Sequence, residues 1–371
     1  MNSGFKYFTL SYAFFRLGFD LMGLFGAISF YVIFDHSLAH AFGIYALIYL
    51  LTTILILPVL KLSEKLGTRN AIIIATFLFA LSFFPLSQLP TKRVEFIALW
   101  VIISSLARAL YWVPMHYYMS NLTEEKKRGS QIGLLYAIVI LFSIVAPFIG
   151  GYTTEYFGIT GLAIAMGIFY LISLIPLFKI PNYRFQFTGN FLRIIFSRDI
   201  LKIVKVIGVN ELQAKETVWS LFVFLLLGSS FIYFGNVATI VALISVIASL
   251  VIGRFLDHNN RLRVLKYDSL INSCLWLIRS VIYTVGGIIF VDSSFKINMQ
   301  VRNQAVDTIS YDLLAKKNQE ELLDEKIVAR ELWVNLLIAL NFTLSLLLVS
   351  FFGFQFVFVF AALSSLLFWL I

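Results

Sequence analysis

Five charged side chains stand inside long apolar runs: Arg16, Asp20, Arg108, Arg302 and Asp307. A charge near the centre of a bilayer costs roughly 2.5–3.5 kcal/mol on insertion scales, so each one calls for a reason. Arg16 and Asp20 are one helical turn apart, a spacing at which an ion pair lowers that cost. The chemistry open to this set is the handling of protons and anions. An arginine within ~4–6 Å favours the ionised form of a carboxylate and burial disfavours it, so a cycle that exchanges the two environments loads and releases a proton. On this reading Asp20 or Asp307 carries the proton, and Arg108 and Arg302 tune its affinity or hold an anionic group. The competing reading is ion pairing that only holds helices together. Arg279, also within an apolar run, has no partner that the sequence reveals, and His116 reads as an interfacial histidine rather than a proton relay.

Other chemistries lack their residues. There is no Gly-x-x-x-x-Gly-Lys-Ser/Thr loop, so ATP is not expected to act directly. No His, Cys and carboxylate cluster has metal-ligand spacing, and no Gly-x-Ser-x-Gly elbow occurs. Neither an enzyme nor a cofactor is expected.

The elements that must position these charges are membrane helices. Of 371 residues, 60% are hydrophobic, 16% aromatic and only 13% charged, with a mean hydropathy of +0.89. A soluble domain carries about a quarter charged residues. The apolar runs recur along the chain at the ~20 residues needed to cross a bilayer, and helices satisfy their own backbone there. The run 5–34 is too long for a cleaved signal and lacks a small-residue cleavage site. Cys274 is the only cysteine, so no internal disulfide is expected.

Twelve spans are expected: 8–34, 40–60, 70–89, 96–119, 131–152, 160–179, 214–234, 237–256, 267–290, 296–315, 328–351 and 354–371. The tenth is polar and rests on the internal repeat described below. With the N-terminus inside, nearly all lysines and arginines fall on the inner side and only Lys92, Arg93 and Lys296 outside. This positive-inside bias places both termini in the cytoplasm. The net charge of +9 is thus a matter of topology, and no nucleic-acid partner is expected. Within a basic central segment, residues 191–208 space Arg193, Arg198, Lys202 and Lys205 among apolar residues, as in a helix lying on an anionic inner leaflet.

The chain also repeats itself. Leu60–Asn70, LKLSEKLGTRN, places Glu64 and Arg69 after an apolar run, and Gly253–Arg263, GRFLDHNNRLR, places Asp257 and Arg261 half a chain later. Arg108 and Arg302 stand at nearly the same offset. Each is followed by a tyrosine-bearing helix end and an acidic-basic loop closing on Arg128 or Arg330. Such repeats join two six-helix halves, 1–180 and 213–371, through a basic linker, 181–212.

In these features the sequence resembles the major facilitator superfamily over essentially its whole length. The family signature between helices 2 and 3 is roughly Gly-x-x-x-Asp-Arg-x-Gly-Arg-Arg. The first copy keeps Glu64, Lys65, Gly67 and Arg69, with Leu60 in place of the leading glycine. The second keeps Gly253, Asp257 and Arg261. The resemblance implies an all-α polytopic fold of two pseudo-symmetric halves. It also implies a cytoplasmic gate at Glu64, Gly67, Arg69, Gly253, Asp257, Arg261, Arg128 and Arg330. In the family, helices 1, 4, 7 and 10 line a central cavity, which places Asp20, Arg108, Arg302 and Asp307 there and Arg16 at its cytoplasmic side. Pro147, Gly150 and Gly151 resemble part of an exporter signature in helix 5, or form a purely structural kink. The implied function is secondary active transport of a small anionic or zwitterionic solute by alternating access, coupled to protons. An uncoupled facilitator or lipid-headgroup flippase is the alternative within transport, and a receptor or scaffold is the alternative outside it. A monomer in the cell membrane of a prokaryote is expected.

Overall fold

The computed structural model describes residues 3–91, 93–123, 128–184, 194–210, 213–252, 261–314 and 323–367. They form helices and no strand. In the N-terminal half these are α1 (Ser3–Ile33), α2 (Leu38–Leu66), α3 (Thr68–Leu81), α4 (Phe83–Ser87), α5 (Arg93–Leu122), α6 (Arg128–Ser143) and α7 (Val145–Leu177). Then follow α8 (Arg198–Asn210), α9 (Gln213–Leu226), α10 (Phe231–Ile252), α11 (Arg261–Arg279), α12 (Val285–Leu314), α13 (Leu323–Phe352) and α14 (Phe354–Ser365). Six of the described stretches are long and apolar enough to cross a membrane. The remaining spans are broken, short or polar.

The breaks have identifiable causes. Spans five and six are α6 with α7, and Gly158, at φ 60°, separates them inside α7. The earlier break at Ser143–Ile144 lies four residues before Pro147, whose ring crowds the carbonyl four positions back. In the C-terminal half, Gly228 (φ 74°) and Ser229 (φ 61°) turn the chain between α9 and α10.

Several boundaries differ from the sequence expectation. The seventh span ends at Leu226, not 234, and the ninth ends at Arg279, not 290. The tenth starts at Val285, so Lys296 lies three turns inside a helix and not in an outer loop. The eleventh starts at Leu323, and Glu325 and Lys326, read as loop residues, are buried in it. A hydropathy run marks the apolar part of a helix, whereas here the polar ends are also helical and packed.

The linker is tied down at both ends. Tyr183 exchanges hydrogen bonds with Thr68 in the N-terminal half. α8 packs on α12, α13 and α14, with Ile200 fully buried, and Trp333 donates to the Ile195 carbonyl at 3.0 Å. The helix expected on the leaflet is therefore docked on the C-terminal half. An amphipathic pattern requires an apolar partner on one face, and protein serves as well as lipid.

Within the N-terminal half α1 packs on α7 and α6, and α5 on α2 and α3. Within the C-terminal half α12 packs on α10 and α11, and α11 on α14. Between the halves α2 meets α13, and α7 meets α10. These are spans two with eleven and five with eight, pairs that interchange when the halves are exchanged. The second contact is made by glycines. A Cβ on Gly235 would lie 2.6 Å from the Pro147 carbonyl oxygen and 2.9 Å from the Gly151 Cα. Small residues at this crossing let two backbones touch. Gly150, beside it, lies against the Phe25 ring of α1. Replacing Gly235 by leucine must separate α7 from α10 and is expected to cost ~1–3 kcal/mol. The check is a lowered melting temperature of the purified protein in detergent, with Gly286→Leu, which meets no atom within 4 Å, as the control.

Candidate functional site

A cavity of about 80 Å³ lies between the halves, lined mostly by the N-terminal one, with room for roughly half a dozen waters. α1 supplies Phe19, Met22 and Gly23, α2 supplies Tyr45, Ile48 and Tyr49, and α5 supplies Trp100, Ser104 and Arg108. Thr217 of α9 and Phe342 of α13 close it from the other half. Phe342 stacks on Tyr45 and Tyr49, with centroids 5.2 and 5.9 Å apart. Arg108 is the charged residue in this lining. Its guanidinium carbon lies 4.2 Å from the Tyr49 ring centroid and 5.4 Å from that of Phe19, cation–π distances. Among the described residues it has no carboxylate partner, and its Nε and the Trp100 indole N–H are buried without an acceptor. Two donors without acceptors in an aromatic box suit the oxygens of an anionic group.

Of the other charges named from sequence, Arg16 lies 5.1 Å from the same Phe19 ring that Arg108 contacts, and Arg302 stands in the other half. Arg16 donates to Asp20 Oδ1 at 2.7 Å, and Ser143 donates to Asp20 Oδ2 at 2.6 Å. That network ties α1 to the broken end of α6. Arg302 is buried and stands 3.6 Å from Asp268 of α11, with its guanidinium 5.7 Å from the Phe295 centroid. Asp307 is on α12, and its side chain lies outside the described residues.

Arg279 has partners after all. It ends α11, where a cation is favoured by the helix dipole, and its side chain is 1% exposed. It pairs with Glu216 of α9 at 2.7 Å and Asp292 of α12 at 2.8 Å. Trp219 also donates to Asp292, at 2.8 Å. The rings of Trp219, Trp276 and Phe295 surround the guanidinium at 4.0–4.7 Å. One turn beyond Asp292, Lys296 lies within the field of Asp292, Glu216 and, across the halves, Asp20. The sequence reading missed Glu216 and Asp292. The available signal was their charge: Glu216 opens an apolar run, and Asp292 stands one turn before Lys296.

On the side carrying the chain termini, the halves meet through charge. His116 of α5 lies 3.2 Å from Glu331 and 2.9 Å from Arg330, both of α13, through the same Nε2. That nitrogen donates to Glu331 when it carries the proton and accepts from Arg330 when it does not. Arg330 also contacts Glu331 directly. Of the expected gate residues, Arg330 is the one whose described contacts cross between halves. Gly67, at φ 78°, caps α2 and opens α3. A Cβ there would strike Asn182, whose side chain accepts from the Arg69 N–H at 2.9 Å and donates to the Leu66 carbonyl at 3.1 Å. Arg69 reaches Asn70 and the Ile180 carbonyl, within its own half and the adjoining linker. Glu64 is half-buried near the end of α2. Gly253 and Asp257 lie outside the described residues, as do the side chains of Arg128, which opens α6, and Arg261, which opens α11.

On the opposite side Glu155 of α7 caps α10. Its Oε2 accepts from Phe231 N at 2.7 Å and Ile232 N at 3.1 Å. A carboxylate at a helix N-terminus satisfies free N–H groups and the dipole together. Phe25 of α1 packs edge-on against Phe234 at 5.5 Å on the same side.

The profile of the Major Facilitator Superfamily matches residues 8–267. The chain belongs to this superfamily. It is an integral membrane transporter with the superfamily's fold. Two crystal structures of a POT family transporter, one in complex with 5-aminolevulinic acid and one with a thioalcohol-conjugated peptide, align with it at TM-score 0.75. Each covers 99% of this chain and 94% of its own at 12% identity, a likeness of fold. No curated protein matches the sequence.

The Arg279 cluster joins three helices of the C-terminal half, α9, α11 and α12. Arg279→Met leaves Glu216 and Asp292 without the guanidinium that bonds both. Breaking one partner out of a buried ion network costs ~3–5 kcal/mol, whereas replacing the whole network is often near neutral. The expected outcome is a large drop in melting temperature for Arg279→Met, recovered in large part by adding Glu216→Gln and Asp292→Asn.

Proposed function

We propose that the protein is a secondary active transporter that carries a small solute bearing an anionic group, by alternating access and coupled to protons. The observation that carries this reading is Arg108, a guanidinium held by aromatic rings, without a carboxylate partner among the described residues, in a cavity spanned by both halves. A solute carboxylate or phosphate would take the place of the missing counter-ion. The solved relatives were captured with an amino acid and a peptide, ligands that carry a carboxylate, which favours the anionic or zwitterionic class.

Alternating access is supported by where the halves meet. The His116–Glu331–Arg330 cluster closes one side and the Glu155 cap with the Gly151–Gly235 crossing closes the other. Rocking about the cavity would release one set while the other holds. Asp20 is the proton carrier favoured here: it sits one turn from Arg16, and protonation would release that pair. Asp307 remains the second carrier on the opposite half. His116 meets Glu331 and Arg330 through one nitrogen, so the terminus-side closure depends on which of the two it bonds. In this reading both termini are cytoplasmic, which the positive-inside bias supports, and the chain works as a monomer in a prokaryotic membrane.

The test is reconstitution in liposomes with an imposed pH gradient, screening labelled carboxylates, phosphates and zwitterions. Arg108→Ala is expected to weaken uptake about 10–100-fold, the worth of a charge-assisted hydrogen bond. Asp20→Asn is expected to keep solute exchange and lose accumulation driven by the gradient. Gradient-driven uptake unchanged in both Asp20→Asn and Asp307→Asn rejects the coupling, and unchanged uptake in Arg108→Ala rejects the binding site.

A further inference from the structure

A second cleft, of about 330 Å³, opens between α8, α9, α13 and α14, and no residue lines both it and the Arg108 cavity. Its walls are apolar, formed by Leu337, Leu340 and Leu344 of α13 with Phe360 of α14. Leu340 is 57% exposed and Leu367 44% exposed at its rim, so in a membrane the mouth faces hydrocarbon. Lys205 of α8 is exposed at the same mouth.

The floor is Lys215, only 1% exposed. Its ammonium donates to the Ser364 hydroxyl and lies 4.9 Å from the Phe360 ring centroid. No carboxylate pairs with it among the described residues, and the charged group acting on it is another cation, Arg302. A hydroxyl answers one of three N–H donors and none of the charge. A buried ammonium is costly unless an anion answers it.

An anion that answers Lys215 would enter through a mouth lined by leucines, with Lys205 at its edge. An alkyl chain ending in an acid meets both conditions. The volume is near the lower end of ligand pockets, ~300–1,000 Å³, and suits one chain rather than the two of a phospholipid. We propose that this cleft is a fatty-acid site, with the carboxylate paired to Lys215, Lys205 guarding the entry and the chain lying along Leu337, Leu340 and Leu344. An occupant there would fix the start of α9, where Glu216 holds Arg279 and Thr217 lines the Arg108 cavity. The site is thus placed to regulate transport without taking part in solute binding.

The test is equilibrium binding of a fluorescent fatty acid to the purified full chain in a non-ionic detergent. Unlabelled fatty acid, the alcohol of equal chain length and an anionic phospholipid serve as competitors. Saturable binding is expected, displaced by the fatty acid and not by the alcohol or the phospholipid, and weakened at least ~10-fold in Lys215→Met. Leu340→Trp, which fills the mouth and keeps the lysine, is expected to weaken binding similarly without changing the melting temperature. Wild-type affinity in Lys215→Met, or equal competition by the alcohol or the phospholipid, overturns the proposal. If Lys215→Met does not fold, Leu340→Trp decides, and unchanged affinity in it overturns the proposal.

Discussion

A charge in the interior of a membrane protein must have a partner, and the arrangement of this chain follows from how each charge finds one. Arg16 has Asp20, Arg302 has Asp268, and Arg279 has both Glu216 and Asp292. Arg279 ties together α9, α11 and α12, Arg302 ties α12 to α11, and Arg16 and Asp20 pair within α1, so the desolvation each ion suffers is offset by a fixed partner. Arg108 and Lys215 are answered differently, by aromatic rings and by a hydroxyl. Those are the places where a ligand charge would complete the pairing.

The division of labour between the halves follows. In the N-terminal half the interior is aromatic, with Phe15 stacked on Tyr111 at 4.0 Å and Arg108 set among Tyr49 and Phe19. In the C-terminal half the interior is ionic, organised on Arg279. Between them run the α2–α13 contact, where Phe342 stacks on Tyr45 and Tyr49, and the α7–α10 glycine crossing, with a histidine–glutamate contact on one side and a carboxylate cap on the other.

Much of the fold was legible in the sequence because long apolar runs and a half-chain repeat are written locally. The spans, the repeat and the superfamily resemblance depend on composition and spacing. The break at Gly158 fell between two expected spans, and Gly67 sits at the turn assigned to it. Partners were not legible. Arg279 had none in the sequence because Glu216 stands 63 residues before it and Asp292 was hidden in a helix start taken for a loop. Glu155 and His116 were missed as closures for the same reason: each acts on a backbone or side chain of the other half. The grouping of Arg108 with Arg302 and Asp20 came from helix numbers alone. Helices have faces, and Asp20 turns towards α6 while Arg302 turns towards α11.

The central claim is that Arg108 holds the anionic group of the solute. The direct measurement is a binding cycle at fixed pH, comparing the transported acid with its uncharged amide on wild type and on Arg108→Gln. The account predicts that wild type prefers the acid by about 10–100-fold and that Arg108→Gln binds acid and amide alike. If Arg108→Gln keeps the wild-type preference for the acid, the anion is held elsewhere and the account is wrong.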